Sequence, residues 1–171
     1  MRSLLIGCGR SRVRKVSLEP PYPQDWDELV TLDMTHEVKP SVVCDLEQIE
    51  LPFKDNSFDE IHAYEVLEHM GRQGDWKFLL AQFDEFARVT KPKGLMFVTS
   101  PRLDSPWLWG DPGHTRYIGP ETFVFLNRAE YARQQGTTAM TDYRPYFKSD
   151  WRLAFKITNP HSNVLILMSV K

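Results

Sequence analysis

Short apolar runs, each halted by glycine or aspartate, set the rhythm of the N-terminal half. Residues 4–6 are apolar and stop at Gly7-Cys8-Gly9. A run too short for a helix and closed by a tight turn predicts a buried strand. Residues 29–32 end at Asp33, residues 41–44 end at Asp45, and residues 58–64 follow the polar turn Asp55-Asn56-Ser57. These predict strands two, three and four. Residues 95–99, after Pro92 and Gly94, predict the fifth. Over residues 76–89 the period changes: Leu79, Leu80, Phe83, Phe86, Ala87 and Val89 recur at helical spacing, which predicts an amphipathic helix.

The connections carry their own signals. Pro20, Pro21 and Pro23 forbid a long helix between the first two strands. Residues 101–119 hold Pro101, Pro106 and Pro112 beside Trp107 and Trp109, and predict a long loop of the kind that borders functional sites. Pro120 suits the first turn of a helix that should stop near Gly136. At the C-terminal end Trp151, Leu153, Phe155 and Ile157 alternate with Arg152, Ala154, Lys156 and Thr158, as in a strand with one wet face. Residues 164–168 are unbroken and apolar, as in a strand buried on both faces. The short turn at 159–162 pairs these two antiparallel, with the last strand inside the edge. The pattern is α/β, five parallel strands followed by a hairpin.

Composition narrows this picture. With 171 residues the chain suits one domain over 1–171. A formal net charge of −2 gives no electrostatic reason to expect nucleic acid. The two cysteines, Cys8 and Cys44, make no disulfide framework, and a reduced, cytoplasmic setting fits them. The apolar run at residues 4–6 is too short for a signal peptide or a membrane span.

Three successive strand ends carry polar chemistry: Gly7-Cys8-Gly9, Asp33 and Asp45. Ligands of open α/β sheets bind outside the carboxyl ends of the strands. Glycines there admit a ligand to the backbone, or simply form a turn. Asp33 can accept from a ribose diol, each charge-assisted bond contributing about 1.5–3 kcal/mol, or can cap a turn. Asp45 can read a purine amine while Leu46 lies against the ring, or can equally cap a turn. Arg12 stands where the dinucleotide fingerprint needs glycine or alanine, so a nicotinamide-dependent oxidoreductase ranks last.

These strings, with Leu51-Pro52-Phe53-Lys54-Asp55-Asn56-Ser57-Phe58-Asp59 and Glu65-Val66-Leu67-Glu68-His69, resemble class I S-adenosylmethionine (SAM)-dependent methyltransferases of the type 11 group. Asp111-Pro112-Gly113-His114-Thr115-Arg116-Tyr117 is similar to a later motif of that group. The resemblance implies a Rossmann-like, seven-stranded, mostly parallel sheet with an antiparallel C-terminal strand, and SAM as cofactor. It implies that Gly7, Cys8 and Gly9 face the methionine part and that Asp33, with Met34 beside it, holds the ribose. Asp45 and Leu46 would hold the adenine, and Tyr64, Glu65 and Val66 would border the sulfonium. Departures from the group's pattern are Leu5 in place of an acidic residue, Ser11 in place of a third glycine, and a first helix that is short or missing.

Methyl transfer needs alignment first. It needs a base only if the acceptor must lose a proton. His114, Glu65 and His69 are the candidate catalytic groups. Glu68-His69 can also cap and pack a helix, and His114 can also order its loop. Arg10 meets the SAM carboxylate or remains solvated. No metal is expected, since only Glu68 and His69 stand together as ligands. Trp107 and Trp109 wall an acceptor pocket or pin the loop. The acceptor class expected is a small molecule, a glycan or a lipid precursor, and a non-catalytic SAM-binding domain is the alternative.

Overall fold

In the computed structural model, which describes residues 1–18 and 25–171, the apolar runs pair into one sheet. Its strands are β1 (Arg2–Ile6), β2 (Glu28–Asp33), β3 (Val42–Val43), β4 (Phe58–Tyr64), β5 (Thr90–Pro101), β6 (Trp151–Thr158) and β7 (Ser162–Ser169). They lie in the order β3-β2-β1-β4-β5-β7-β6. β1 to β5 are mutually parallel, and β7 runs antiparallel between β5 and β6. The expected topology is the one observed.

Helix α1 (Trp76–Val89) starts at Asp75, whose side chain accepts from the Phe78 amide at 3.1 Å. It buries Leu80, Phe83 and Phe86 against the face of the sheet that carries Leu4, Ile6 and Leu32. Each such side chain contributes about 1.5–3 kcal/mol on burial. Trp151 is fully buried in the same layer, and its indole N–H donates to the Phe83 carbonyl at 3.0 Å.

Local elements depart from expectation in four places. The 101–119 stretch contains a short helix, α2 (Pro106–Gly110), started by the Ser105 side chain. The helix expected over 120–136 is two, α3 (Pro120–Val124) and α4 (Arg128–Gln134). The break has a cause: the Leu126 carbonyl accepts from the Trp151 amide of β6, and Asn127 caps a new helix through the Ala129 amide. β5 begins at Thr90, with a register shift against β4, so Pro92 and Gly94 fall within it. A Cβ at Gly94 would lie 2.5 Å from Thr90 Cγ2, so only glycine fits. In β6 the register shifts between Leu153 and Phe155. A bulge of one residue moves later side chains to the other face. Leu153 thus packs with the helical layer, while Phe155 and Ile157 are 49% and 42% exposed.

The opposite face of the sheet has no helix among the described residues between β1 and β2. Pro20, Pro21 and Pro23, on which the expectation of a missing helix rested, lie outside the described residues. A buried polar network holds the segment around Arg14 to the sheet instead. Glu60 Oε2 accepts from Arg14 at 2.6 Å and pairs with His62 Nε2 at 3.0 Å. His62 Nδ1 meets the Tyr64 hydroxyl at 2.6 Å, and that hydroxyl accepts from the Val16 amide at 3.3 Å. One tautomer satisfies the chain: His62 Nε2–H donates to Glu60, and the Tyr64 O–H donates to Nδ1. Phe97 stacks on the His62 ring, and Trp26 meets it edge-on. Burial pushes the Tyr64 hydroxyl up to about 12.

Removing one member of a buried ion pair strands the other. Glu60→Ala should therefore lower unfolding stability by about 3–5 kcal/mol, measured by urea denaturation, with Arg14→Met in the same chain recovering part of the loss. Burial lowers the His62 pKa, against the upward pull of Glu60. Folding then favours the neutral ring, so its contribution is complete above the unfolded value of about 6.5 and is lost as pH falls below it. Thermal unfolding from about pH 7.5 to 5.5 should show a steeper loss in the native chain than in His62→Gln. Equal slopes would remove His62 from this account.

Candidate active site

Parallel register brings the strand ends together. Ile6 is level with Leu32 on one side and Ala63 on the other, and Asp33 is level with Val43. Gly7 and Gly9 take positive φ values of 56° and 52°, where a side chain is strained. A Cβ at Gly7 would lie 2.3 Å from Val66 Cγ2, so the glycine also keeps the space beside Val66 open.

Asp33 braces this turn. Its Oδ2 accepts from the Gly9 amide at 2.8 Å and its Oδ1 from the Thr35 amide at 2.9 Å. Each oxygen keeps a lone pair for a ligand hydroxyl, so the turn-cap and ribose readings are compatible. Asp45 Oδ1 accepts from the Glu47 amide at 2.9 Å, which is the turn role its position allowed. Leu46 is buried at the edge of the core. Glu47 in turn accepts from the Gly71 amide at 2.6 Å and ties this loop to the chain just after the 3₁₀ turn Leu67–His69 that follows β4.

Gly7, Asp33, Met34, Asp45, Leu46 and Val66 line one cleft of about 310 Å³, joined by His69. That volume lies at the lower end of ordinary ligand sites, roughly 300–1,000 Å³. An apolar wall at Leu46 and Val66, a carboxylate at Asp33 and a glycine whose Cβ would intrude fit an adenosine-bearing cofactor such as SAM.

Other predicted residues lie elsewhere. Cys8 is buried on the opposite face with Leu5 and Val16, and burial raises its thiol pKa. Tyr64 turns to that face and joins the His62 network. Arg10 is exposed. Arg12 donates to the carbonyls of Gly9 and Val38 and so closes the glycine turn. Glu65 stands exposed at the end of β4 with φ 55°, an uncommon conformation for a non-glycine residue, its amide bonded to the Thr99 carbonyl at 2.9 Å.

The loop after α2 folds onto the 3₁₀ turn Leu67–His69. The amides of Thr115 and Arg116 both donate to the Glu68 carbonyl, at 2.9 and 3.3 Å. His114 therefore meets His69, ring centroids 4.5 Å apart. The His114 Nδ1–H donates to the Leu108 carbonyl at 2.9 Å. The Glu68 carboxyl is fully buried, and among the described residues neither oxygen accepts a hydrogen bond of ordinary geometry. Burial, with the carboxylates of Glu65 and Asp111 nearby, pushes it up to about 8. Ligand atoms of Glu68, His69 and His114 lie within 4.8 Å of one another. Sequence reasoning saw two possible ligands here. The third arrives from 45 positions along the chain, in the string Asp111-Pro112-Gly113-His114, whose resemblance to a later motif of the group marked it as catalytic and not as a partner of Glu68.

The loop is pinned by neither tryptophan. Trp107 and Trp109 are exposed, and the fully buried Leu108 between them is the anchor. A second cleft, of about 340 Å³, opens beside the start of α1 with Trp76, Tyr117, Phe125 and Tyr143 in its wall. Arg116, buried near it, donates to the carbonyls of Arg72 and Asp75.

Comparison with known proteins agrees with this geometry. Residues 4–98, more than half of the chain, match the family described as methyltransferase domain. No curated protein matches the chain in sequence. A SAM-dependent methyltransferase from Archaeoglobus fulgidus is similar in structure, with a TM-score of 0.60 and 16% identity over 98% of this chain and 85% of that one. The 1,6-didemethyltoxoflavin-N1-methyltransferase of Burkholderia thailandensis, solved with S-adenosylhomocysteine, has a TM-score of 0.57 and 12% identity over 99% and 71%. The [4+2]-cyclase SpnF shares the fold too, with a TM-score of 0.53 and 16% identity over 99% and 75%. With its matching family segment, its sheet order and its strand-end cleft, the chain belongs to the class I SAM-dependent methyltransferase domain family.

Proposed function

We propose that this chain, acting as one domain over 1–171, methylates a small-molecule, glycan or lipid-precursor acceptor beside the cleft at the ends of β1 to β4. The observation that supports this reading is the convergence of Gly7, Asp33, Asp45, Leu46 and Val66 on that cleft. When bound, SAM supplies an electrophilic methyl group on a sulfonium. The protein supplies position and electrostatics. In this reading the Gly7–Gly9 backbone lies along the methionine part, Asp33 and Met34 hold the ribose, and Asp45 with Leu46 holds the adenine.

Val66 and Glu65 border the reacting end. His69 lines the cleft and touches His114, so these imidazoles and Glu65 are the polar groups past which an acceptor proton would leave. Residues 101–119 form the acceptor-side wall. Among the described residues no helix is long and apolar enough to cross a membrane, and both cysteines are free. These facts support an acceptor met in a reduced, cytoplasmic setting.

Asp33→Ala should weaken SAM binding by about 10–100-fold, the loss of one charge-assisted contact, as read by isothermal titration calorimetry. Undiminished affinity would take Asp33 out of the site. Gly7→Ala should lower both stability and SAM affinity, since the αL conformation costs a side chain about 1–2 kcal/mol and the added methyl meets Val66. Release of S-adenosylhomocysteine against a panel of hydroxyl and amine acceptors separates catalysis from binding alone. Tight SAM binding with no turnover on any acceptor would favour the non-catalytic reading.

A further inference from the structure

Three carboxylates and two imidazoles gather where the loop after α2 meets the end of β4, without a basic partner. Among the described residues no lysine or arginine forms an ion pair with Glu65, Glu68 or Asp111. Glu68 is the most demanding of them. It is fully buried, no described residue gives its oxygens a hydrogen bond of ordinary geometry, and the neighbouring Glu65 carboxyl, with Asp111, acts on it electrostatically. A buried carboxylate with no donor is costly, and protein interiors rarely leave one so. The two histidines stand beside it, their ligand atoms within 4.8 Å of its carboxyl.

The ring orientations have the form a metal site needs. His114 gives its Nδ1–H to the Leu108 carbonyl, so Nε2 carries the lone pair. A carbonyl behind a ligating imidazole is the usual support that sets its tautomer. Asp111 Oδ2 stands 3.8 Å from that Nε2. Ligand atoms of Glu68, His69 and His114 lie within 4.8 Å of one another. Bonds of about 2.0–2.2 Å to a central ion place two ligand atoms up to roughly twice that distance apart, so small side-chain rotations close the set. Gly113 keeps the approach clear: a Cβ there would lie 3.0 Å from His69 Nδ1.

We propose that Glu68, His69 and His114 form a binding site for a first-row divalent transition-metal ion, of the zinc, cobalt or manganese class, in the wall of the cofactor cleft. Two imidazoles and one carboxylate favour such ions over calcium or magnesium, which take oxygen ligands. Three protein ligands leave coordination positions open. His69 also lines the cofactor cleft, so an open position would take water or an oxygen of the acceptor. That last role rests on the methyltransferase reading; the metal site itself does not.

The test uses the full chain and Co2+, whose d–d absorption reports nitrogen and oxygen ligation. One equivalent of Co2+ should bind, give visible absorption and be displaced by Zn2+. Glu68→Gln, His114→Gln and the exposed His69→Ala should each weaken binding by on the order of 100-fold. His69→Ala keeps the test valid if a buried variant fails to fold. SAM affinity of the native chain, measured in chelator, is read separately, so that loss of either reading leaves the other standing. Absence of Co2+ absorption at millimolar metal, or unchanged Co2+ affinity in His69→Ala and Glu68→Gln, would overturn the proposal.

Discussion

Parallel pairing of β1 with β2 on one side and with β4 on the other is the constraint on which the site rests. Because Ile6 is level with both Leu32 and Ala63, the chain leaves all three strands at one edge of the sheet. The left-handed turn at Gly7 then opens that edge, and the Asp33 carboxylate holds the turn through the Gly9 amide. A slip of one residue in the β1–β2 pairing would move Asp33 away from Gly9, and a slip in either pairing would turn a strand's apolar side chains to the wrong face.

The two faces of the sheet are held by different physics. One carries an apolar layer of α1, α3 and the residues around Trp151. The other is covered in part by an extended segment fastened through Arg14, Glu60, His62 and Tyr64. A buried ion pair is weak evidence for stability in itself, because desolvation offsets attraction. Its effect here is positional: it places Val16 and Trp26 against a face of the sheet on which, among the described residues between β1 and β2, no helix packs. This also accounts for Tyr64, whose side chain serves the network rather than the cleft.

Local strain gathers next to the cleft. Glu65 adopts a left-handed conformation, which costs a side chain about 1–2 kcal/mol, and it lies beside the unpartnered carboxyl of Glu68. Both are held by long-range backbone bonds, Glu65 to Thr99 and the Glu68 carbonyl to Thr115 and Arg116. Unfavourable groups persist where the surrounding fold over-determines them. Here that surrounding is the end of β5 and the loop anchored by Leu108, which fix the backbones of Glu65 and Glu68.

The sequence alone determined the strands, their order of direction, the α1 helix and the chemistry at three strand ends. Each of these depends on local periodicity or on a residue type next to a turn, and such signals act over a few positions. Gly7, Asp33, Asp45 and Leu46 were legible for this reason, and Val66 only through the resemblance to the methyltransferase group. Tertiary structure decided the rest. The Leu126 carbonyl chose β6 over its own helix, and the bulge before Phe155 reversed the faces of an otherwise regular strand. Tyr64 lies on the far face because strand alternation sets it with Glu60 and His62, opposite Ile61 and Ala63, and the packing of α1 decided which face is which. His114 joined Glu68 and His69 because backbone bonds, blind to side-chain identity, laid one loop across another. Contacts between residues distant in the chain depend on where every intervening element packs, and no local pattern carries that information.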